Sequence, residues 1–525
     1  MAPLKSQIQN AFKLHGFQLR LDASRLMEQL LTPLEAREAT VWVDKVLDAL
    51  VKKNLDSVVV GKDLIAAVVQ ECSNREAGLT DEKLLHIIGA YDVPRFSYSV
   101  ERKKYLPDAS LGLPEPKLYA DAESKSEMFR ARYQMLQQRT ARHGLFAPTG
   151  NAGTVEPSKK TFRLKTIEFL LGTTAKLTDV IILGMVTQIK HGNYSLEDPT
   201  GVITLDLSET KFHTGLYTEN CFVLLEGWYD EEVFHGTAMG FPPAETSETS
   251  RTYFGSLNFF GGPLETCAKK SEKLLQIEKR NIDAMFVFLS DVWLDKPDVN
   301  EKLGRLFAGY SAMPPTAFVL MGNFLSSPYG SDQAKVLKEH FKALGEMLEE
   351  FPELVEHSKF IFVPGPSDPG FTNIFPRPSI PKFISEDLVK KLPSSEFVTN
   401  PCRIQYCTRE IVLFREDIVT KMCRNCIYFP ESGDIPSHFG KTLVSQGHLT
   451  PLPNHICPIY WDYDRSMYLY PLPDLVVVGD KFDPFAAEQL GCRIVNPGSF
   501  AKNEFSFKTY LPHSGVIEDS QIPNE

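Results

Sequence analysis

No run in the sequence approaches ~18 consecutive apolar residues, which excludes a membrane-spanning helix. A basic surplus is also missing: 56 Lys and Arg stand against 67 Asp and Glu, a formal net charge of −11. That excludes a chain gripping nucleic acid mainly through a basic surface, although it leaves room for a local basic groove. The opening MAPLKSQIQNAFKLHG is amphipathic and lacks the uninterrupted apolar centre and small-residue cleavage site of a secretory signal. Cysteine is sparse: nine residues, odd in number and irregular in spacing, predict reduced thiols and an intracellular setting. No two histidines have metal-binding spacing, and residues 1–75 carry neither a Gly-rich phosphate loop nor a His or Cys cluster.

What the chain does have is length and patterning. At 525 residues one core is not enough, and domain-size priors give roughly three or four units. Residues 1–75 read as helical throughout, a small all-α domain. Ile8 and Phe12 share one face; Leu26, Leu30 and Leu31 another; Trp42, Val43, Val46, Leu47 and Leu50 a third; Leu64, Ile65, Val68 and Val69 a fourth. Residues 76–160 form a proline-punctuated connector with one helix over 122–143, predicted to pack on the C-terminal domain. Arg130, Arg132, Arg139 and Arg142 on that helix suggest either phosphate contact or, more simply, a solvated face. Residues 147–160 read as a linker.

Residues 161–265 turn to strand. VIILGMVTQIKHGNYSLEDPTGVITLDLS and CFVLLEGWYDEEVFHGTAMGF alternate strands with turns at 191–193 and 198–201. The pattern resembles an OB-fold β-barrel. Tyr194, Trp228, Tyr229 and Phe234 are stacking candidates, but the flanking turns are acidic at Glu197, Asp198, Asp230, Glu231 and Glu232. A single-strand funnel wants basic and aromatic residues interleaved, so a protein-binding barrel is expected.

The stretch that organises residues 270–525 is MFVFLSDVWLD, 285–295. Its apolar run predicts a buried parallel strand delivering Asp291 to the carboxyl edge of a sheet, where α/β sheets bind ligands. Helical stripes at Val299, Leu303, Leu306 and Phe307, and at Leu337, Phe341, Leu344, Leu348 and Phe351, alternate with strands at 317–321, 360–363 and 475–478. Cys402, Cys407, Cys423 and Cys426 give C-x4-C…C-x2-C, which suits a four-thiolate zinc site. However, CRIQYC and EIVLFRE read as two alternating strands without knuckle turns, and free cysteine is a small core hydrophobe. Structural cysteines are expected, and zinc stays open.

FLSDVWLD, FVLMGNF, FIFVPGPSDPG, NPCRIQY, EIVLFREDI, LVSQGHLTPLP, PDLVVVGDKFDPF and VNPGSF together resemble the B-subunits of eukaryotic replicative DNA polymerases, an OB barrel joined to a calcineurin-like phosphoesterase sandwich. The likeness spans roughly 160–510, and the helical head is similar to that of the epsilon-type members. Matched strand end to strand end, the phosphoesterase ligands become Asp291, Trp293, Asn323, Pro366, Ser367, Asp368, Gln446, Asp480 and Phe482. Two-metal hydrolysis needs about seven imidazole and carboxylate ligands; an indole, a phenyl ring, a proline and amides stand here instead. The resemblance therefore implies a fold kept without its chemistry: no catalytic residue, metal or cofactor. It implies a nuclear, non-catalytic scaffold that grips the zinc-containing C-terminal region of the polymerase epsilon catalytic subunit. The same resemblance implies a link to the replicative helicase through GINS and a role in DNA replication and repair, with DNA met indirectly or weakly and no membrane.

Two other readings stay open. One is a reduced-site phosphodiesterase using Asp291, Asp368 and Asp480, with His448 or His438 as acid. The other is a stand-alone single-strand-binding OB protein.

Overall fold

The computed structural model of the chain describes residues 11–13, 17–31, 84–147, 162–190 and 192–523, with scattered positions between 42 and 68. Its contacts fall into two units, Met1–Leu85 and His86–Glu525. In the first, helix α1 (Leu21–Leu31) buries Ala23, Met27 and Leu31 at every fourth position. They join Phe12, Val43, Val46, Leu47, Leu50, Val60, Ile65 and Val68 in one core. The unit is not helical throughout: Gln18–Leu19 pairs in parallel with Val59–Val60, and β-branched Val59 and Val60 suit that pairing. The expected faces at Ile8 and Val69 lie outside the described residues.

The strand Leu85–Gly89 leads into the second unit and the hairpin Phe96–Ser99/Lys104–Pro107 follows, neither legible in a proline-rich stretch. Helix α2 (Ala122–Arg142) follows. Then come β1 (Leu177–Lys190), β2 (Asn193–Asp198), β3 (Gly201–Asp206), β4 (Phe222–Asp230) and β5 (Val233–Gly240). Antiparallel pairing runs β5–β4–β1–β2–β3, and a parallel β3–β5 ladder closes the circle. That is the OB barrel the sequence predicts. Asp198 sets the β2–β3 turn by accepting from the backbone N–H groups of Thr200 (2.7 Å) and Gly201 (3.1 Å). Register shifts at Glu226/Gly227, where a Cβ on Gly227 would lie 2.0 Å from the His235 carbonyl oxygen. Only glycine fits that bulge.

The rest is a sandwich of two six-stranded sheets. The first contains β6 (Phe286–Ser290), β7 (Ala317–Met321), β8 (Lys359–Val363) and β9 (Ser395–Phe397), all parallel. The second is built from β10 (Cys402–Tyr406), β11 (Arg409–Arg415), β12 (Leu475–Gly479), β13 (Phe485–Gln489) and β14 (Cys492–Asn496). The chain then returns to the first sheet as β15 (Ser506–Leu511) and β16 (Val516–Gln521), antiparallel beside β6. Strand orders are β9-β8-β7-β6-β15-β16 and β13-β14-β12-β11-β10, the second extended at its edge by Leu85–Gly89.

Every residue of β6, β7 and β12 is buried, which is why these strands read as unbroken apolar runs. β10 and β11 are buried on both faces too, rather than alternating as expected. Helices α3 (Pro297–Tyr310) and α4 (Gln333–Leu348) lay Val299, Leu303, Leu306, Phe307, Leu337, Phe341 and Leu344 against the first sheet. Helix α5 (Ile435–Gln446) packs against β13 of the second sheet. There Phe439 and Leu443 share one continuous core with β11, β12, α2 and the barrel residues Met185 and Phe222.

Candidate functional site

The carboxyl ends of β6, β7, β11 and β12 converge, and Arg415 fills the convergence. It is the last residue of β11 and has no exposed surface. Its Nη2 donates to Asp291 Oδ1 at 2.7 Å; its Nη1 donates to Asp417 Oδ1 and to the Gly479 carbonyl, both at 3.0 Å; and its Nε donates to the Gly322 carbonyl. One guanidinium thus ties the end of β6, the end of β7 and the end of β12 together across the two sheets. Burial works against its charge, but Asp291 and Asp417 outweigh burial and raise its pKa above the usual guanidinium value. Its own backbone is held by Asn400, whose side chain accepts from Arg415 N (3.0 Å) and donates to Arg415 O (2.7 Å).

Around this cation the sequence-predicted positions separate into two groups. Asp291 sits in the left-handed region, φ 54°, an uncommon conformation for a non-glycine residue. It accepts from Asn323 N at 3.2 Å as well as from Arg415. Asn323 in turn accepts from Ser367 N at 2.7 Å. Asp368 accepts from Phe324 N (2.8 Å) and Gly365 N (2.7 Å), and a Cβ on Gly322 would lie 1.9 Å from its Oδ2. Burial lifts Asp368 to about 6, against the pull of those amides and of Arg377. Asp480 accepts from Val419 N and Phe482 N, both at 2.8 Å; burial lifts it also to about 6, with the two amides opposing. The carboxylates therefore face backbone N–H groups and a guanidinium. Pro366 is half-buried and Ser367 exposed. Trp293 packs half-buried against the first sheet's core and Phe482 against the second's.

Gln446 belongs to neither group. At the end of α5 its Nε2 donates to Phe222 O and its Oε1 accepts from Phe222 N, each at 2.8 Å. A side-chain amide here pairs with the barrel backbone as a strand would. Two more residues of the same helix face do likewise: His438 Nδ1 accepts from Gly215 N (2.9 Å), and Thr442 Oγ1 accepts from Leu216 N (2.8 Å). The 438, 442, 446 spacing puts all three on one stripe.

Both histidines proposed as acids are accordingly committed to structure. His448 is buried, accepts from Thr450 N and pairs with Asp464 at 3.1 Å; burial and Arg132 push its pKa down to about 4, against Asp464.

The arginine-rich helix departs from expectation. Arg130 is exposed and pairs with Glu127 at 2.6 Å, but the other three are not on a solvated face. Arg132 forks onto Asp464 (Nε–Oδ2 3.0 Å). Arg139 donates to the Ser445 and Pro242 carbonyls. Arg142 pairs with Glu245, donates to Tyr470 Oη at 3.0 Å and stacks over Tyr253 at 3.7 Å. Helix α2 is thereby bonded to the barrel's exit and to the sandwich at once. Sequence reading missed these arginine contacts because arginine spacing does not reveal a buried carboxylate far along the chain. Of the barrel's stacking candidates, Tyr229 and Phe234 are core residues and Tyr194 packs against that core; Trp228 stacks on His235 at 3.8 Å. Among the described residues, no three or more of His, Cys, Asp and Glu stand together as a metal-holding group. Cys402 and Cys407 are buried, Cys423 and Cys426 half-buried, and burial raises the thiol pKa of Cys402, Cys423 and Cys426.

Three protein families match the chain. That of the DNA polymerase alpha/epsilon B-subunits matches residues 286–487. Another, DNA polymerase epsilon subunit 2-like, OB-fold domain, matches residues 122–243. The third, DNA polymerases epsilon N terminal, matches residues 1–72. The chain is 51% identical to DNA polymerase epsilon subunit 2 of Bos taurus and 51% to that of Homo sapiens, each over 99% of both chains. It is 40% identical to that of Drosophila melanogaster, over 100% of this chain and 99% of the relative. A solved archaeal phosphodiesterase aligns with 45% of this chain and 98% of its own at 11% identity, with a TM-score of 0.26, too slight a likeness for inference.

Proposed function

The chain belongs to the DNA polymerase epsilon subunit 2 family, and on that premise we propose that it is a non-catalytic accessory subunit of the polymerase epsilon complex. Its phosphoesterase-type sandwich works as a rigid holder and not as a hydrolase.

The observation that carries this reading is Arg415. A pair of divalent cations ~3.5–4 Å apart needs a shell of free carboxylate and imidazole ligands. Here the carboxylate after β6 is ion-paired to a buried guanidinium, and Asp368 and Asp480 are turned onto backbone amides. The residues present do not fit a two-metal site, because a permanent positive charge of the protein's own neutralises Asp291. The reduced-site phosphodiesterase loses its ligands for the same reason, and its acid candidates to buried hydrogen bonds. A stand-alone single-strand binder loses Tyr229 and Phe234 to the barrel core.

In this reading the barrel and sandwich hold the zinc-containing C-terminal region of the catalytic subunit. The N-terminal unit links the assembly to the replicative helicase through GINS, in the nucleus, during replication and repair. Contact with DNA is indirect or weak.

Co-purification of the full chain with the catalytic subunit's C-terminal region tests the reading. A stoichiometric complex surviving size exclusion is expected. Two folded partners that elute apart would refute it.

A further inference from the structure

Two cavities flank the middle of α2. One, of about 820 Å³, lies between α2 and residues 111–120, a proline-containing strap. The other, of about 610 Å³, lies between α2, the β2–β3 turn and residues 453–455. Arg130, Tyr133 and Pro199 line both, so the two form one cleft crossing the helix. The strap is fixed in place: Lys117 N donates to Asp462 at 2.9 Å and Arg95 donates to the Pro114 carbonyl at 3.0 Å.

Three features of this cleft are unspent by the fold. Leu113 lines the cleft, and Leu111, Leu118 and Tyr119, its neighbours on the strap, are exposed too, Tyr119 at 89%. Large apolar side chains gathered this way mark interaction surfaces. Tyr133 lines both lobes yet is buried except for 8% of its surface, and its hydroxyl makes no hydrogen bond among the described residues. Finally, Glu115, Asp121 and Glu123 line one lobe and Glu197 and Glu219 the other, against Lys117 and Lys125. None of these seven side chains enters an ion pair or hydrogen bond among the described residues. The arginines that also line the cleft are already paired, Arg95 and Arg465 with Asp108 and Arg130 with Glu127.

We propose that this cleft docks a basic polypeptide segment with apolar anchors, contributed by the C-terminal region of the catalytic subunit; the proposal rests on the accessory-subunit reading above. Five carboxylates against two ammonium groups favour a basic occupant and repel a phosphate backbone. The Leu/Tyr strap supplies the apolar rim, and the Tyr133 hydroxyl supplies one fixed polar contact for a main-chain group.

The test uses the full chain and the purified C-terminal region of the catalytic subunit, with affinity measured across a salt series. Substituting Glu197→Lys together with Glu219→Lys is expected to weaken binding about tenfold or more at low salt and to flatten its salt dependence. Tyr133→Phe is expected to weaken it several-fold while leaving thermal unfolding unchanged. A photo-crosslinking residue at Leu113 is expected to capture the partner; should a charge-reversed variant not fold, this capture decides. If the wild type binds while the variants bind equally well and position 113 captures nothing, the cleft is refuted and the accessory reading stands. If the wild type does not bind, both fall. Displacement of the partner by a single-stranded oligonucleotide would also overturn the proposal.

Discussion

Replacing Arg415 by methionine leaves Asp291 buried with no positive partner. Removing one member of a buried pair costs about 3–5 kcal/mol, so Arg415→Met is expected to lower the denaturation midpoint sharply. Adding Asp291→Asn should recover much of the loss, because the orphaned charge goes with it. Non-additivity of the two substitutions is the readout.

Asp480 makes the opposite kind of prediction. Burial raises its folded-state pKa from 3.8 to about 6, so the folded chain holds a proton that the unfolded chain has released between those values. Its contribution to stability is therefore present below pH 4 and is lost as pH rises through 6. Relative to Asp480→Asn, the wild type should gain on the order of 2–3 kcal/mol between pH 7 and pH 4, at about 1.4 kcal/mol per pKa unit. Paired unfolding curves at several pH values measure it, and a pH-independent difference would contradict it. Asp291 and Asp480 were legible in the sequence as strand-end carboxylates. Arg415 was not, since an arginine closing REIVLFRE reads as a flanking surface charge.

At the scale of an element, α5 shows why helix periodicity alone misleads. His438, Thr442 and Gln446 form a polar stripe that a sequence reading assigns to solvent or to chemistry. The structure lays that stripe on the barrel's backbone. Gln446→Leu would leave the Phe222 N–H and C=O buried without partners, at about 1–3 kcal/mol for each unsatisfied group. Faster amide hydrogen exchange at Phe222 and in neighbouring β4 is the expected result. Unchanged exchange there would mean that the clamp contributes nothing. Strands β6, β7, β8 and β12 of the sandwich were legible because elements covered on both faces must be apolar throughout. By contrast, the Leu85–Gly89 edge strand lies in a proline-punctuated connector, and its pairing depends on a sheet built from residues far later in the chain. No local signal could place it.

For the molecule as a whole, barrel and sandwich share a core, are bridged by α2 and α5, and pair strand to strand where Tyr217–Thr218 meets Cys426–Tyr428. The barrel followed from the order of apolar runs and turns, and the sandwich from the resemblance of its motifs to the polymerase B-subunits. The joints did not, because each is a buried polar contact between residues distant in sequence: Arg132 with Asp464, Gln446 with Phe222, Arg415 with Asp291. In the proposed reading those joints make the sandwich a holder, and the joint at Arg415 stands at the strand ends where the resemblance to phosphoesterases puts metal ligands. Hydrolysis of a generic phosphodiester by the full chain with manganese supplied is the most direct measurement of that claim. The account predicts no turnover distinguishable from that of Asp291→Ala. Turnover in the wild type that Asp291→Ala abolishes would contradict it.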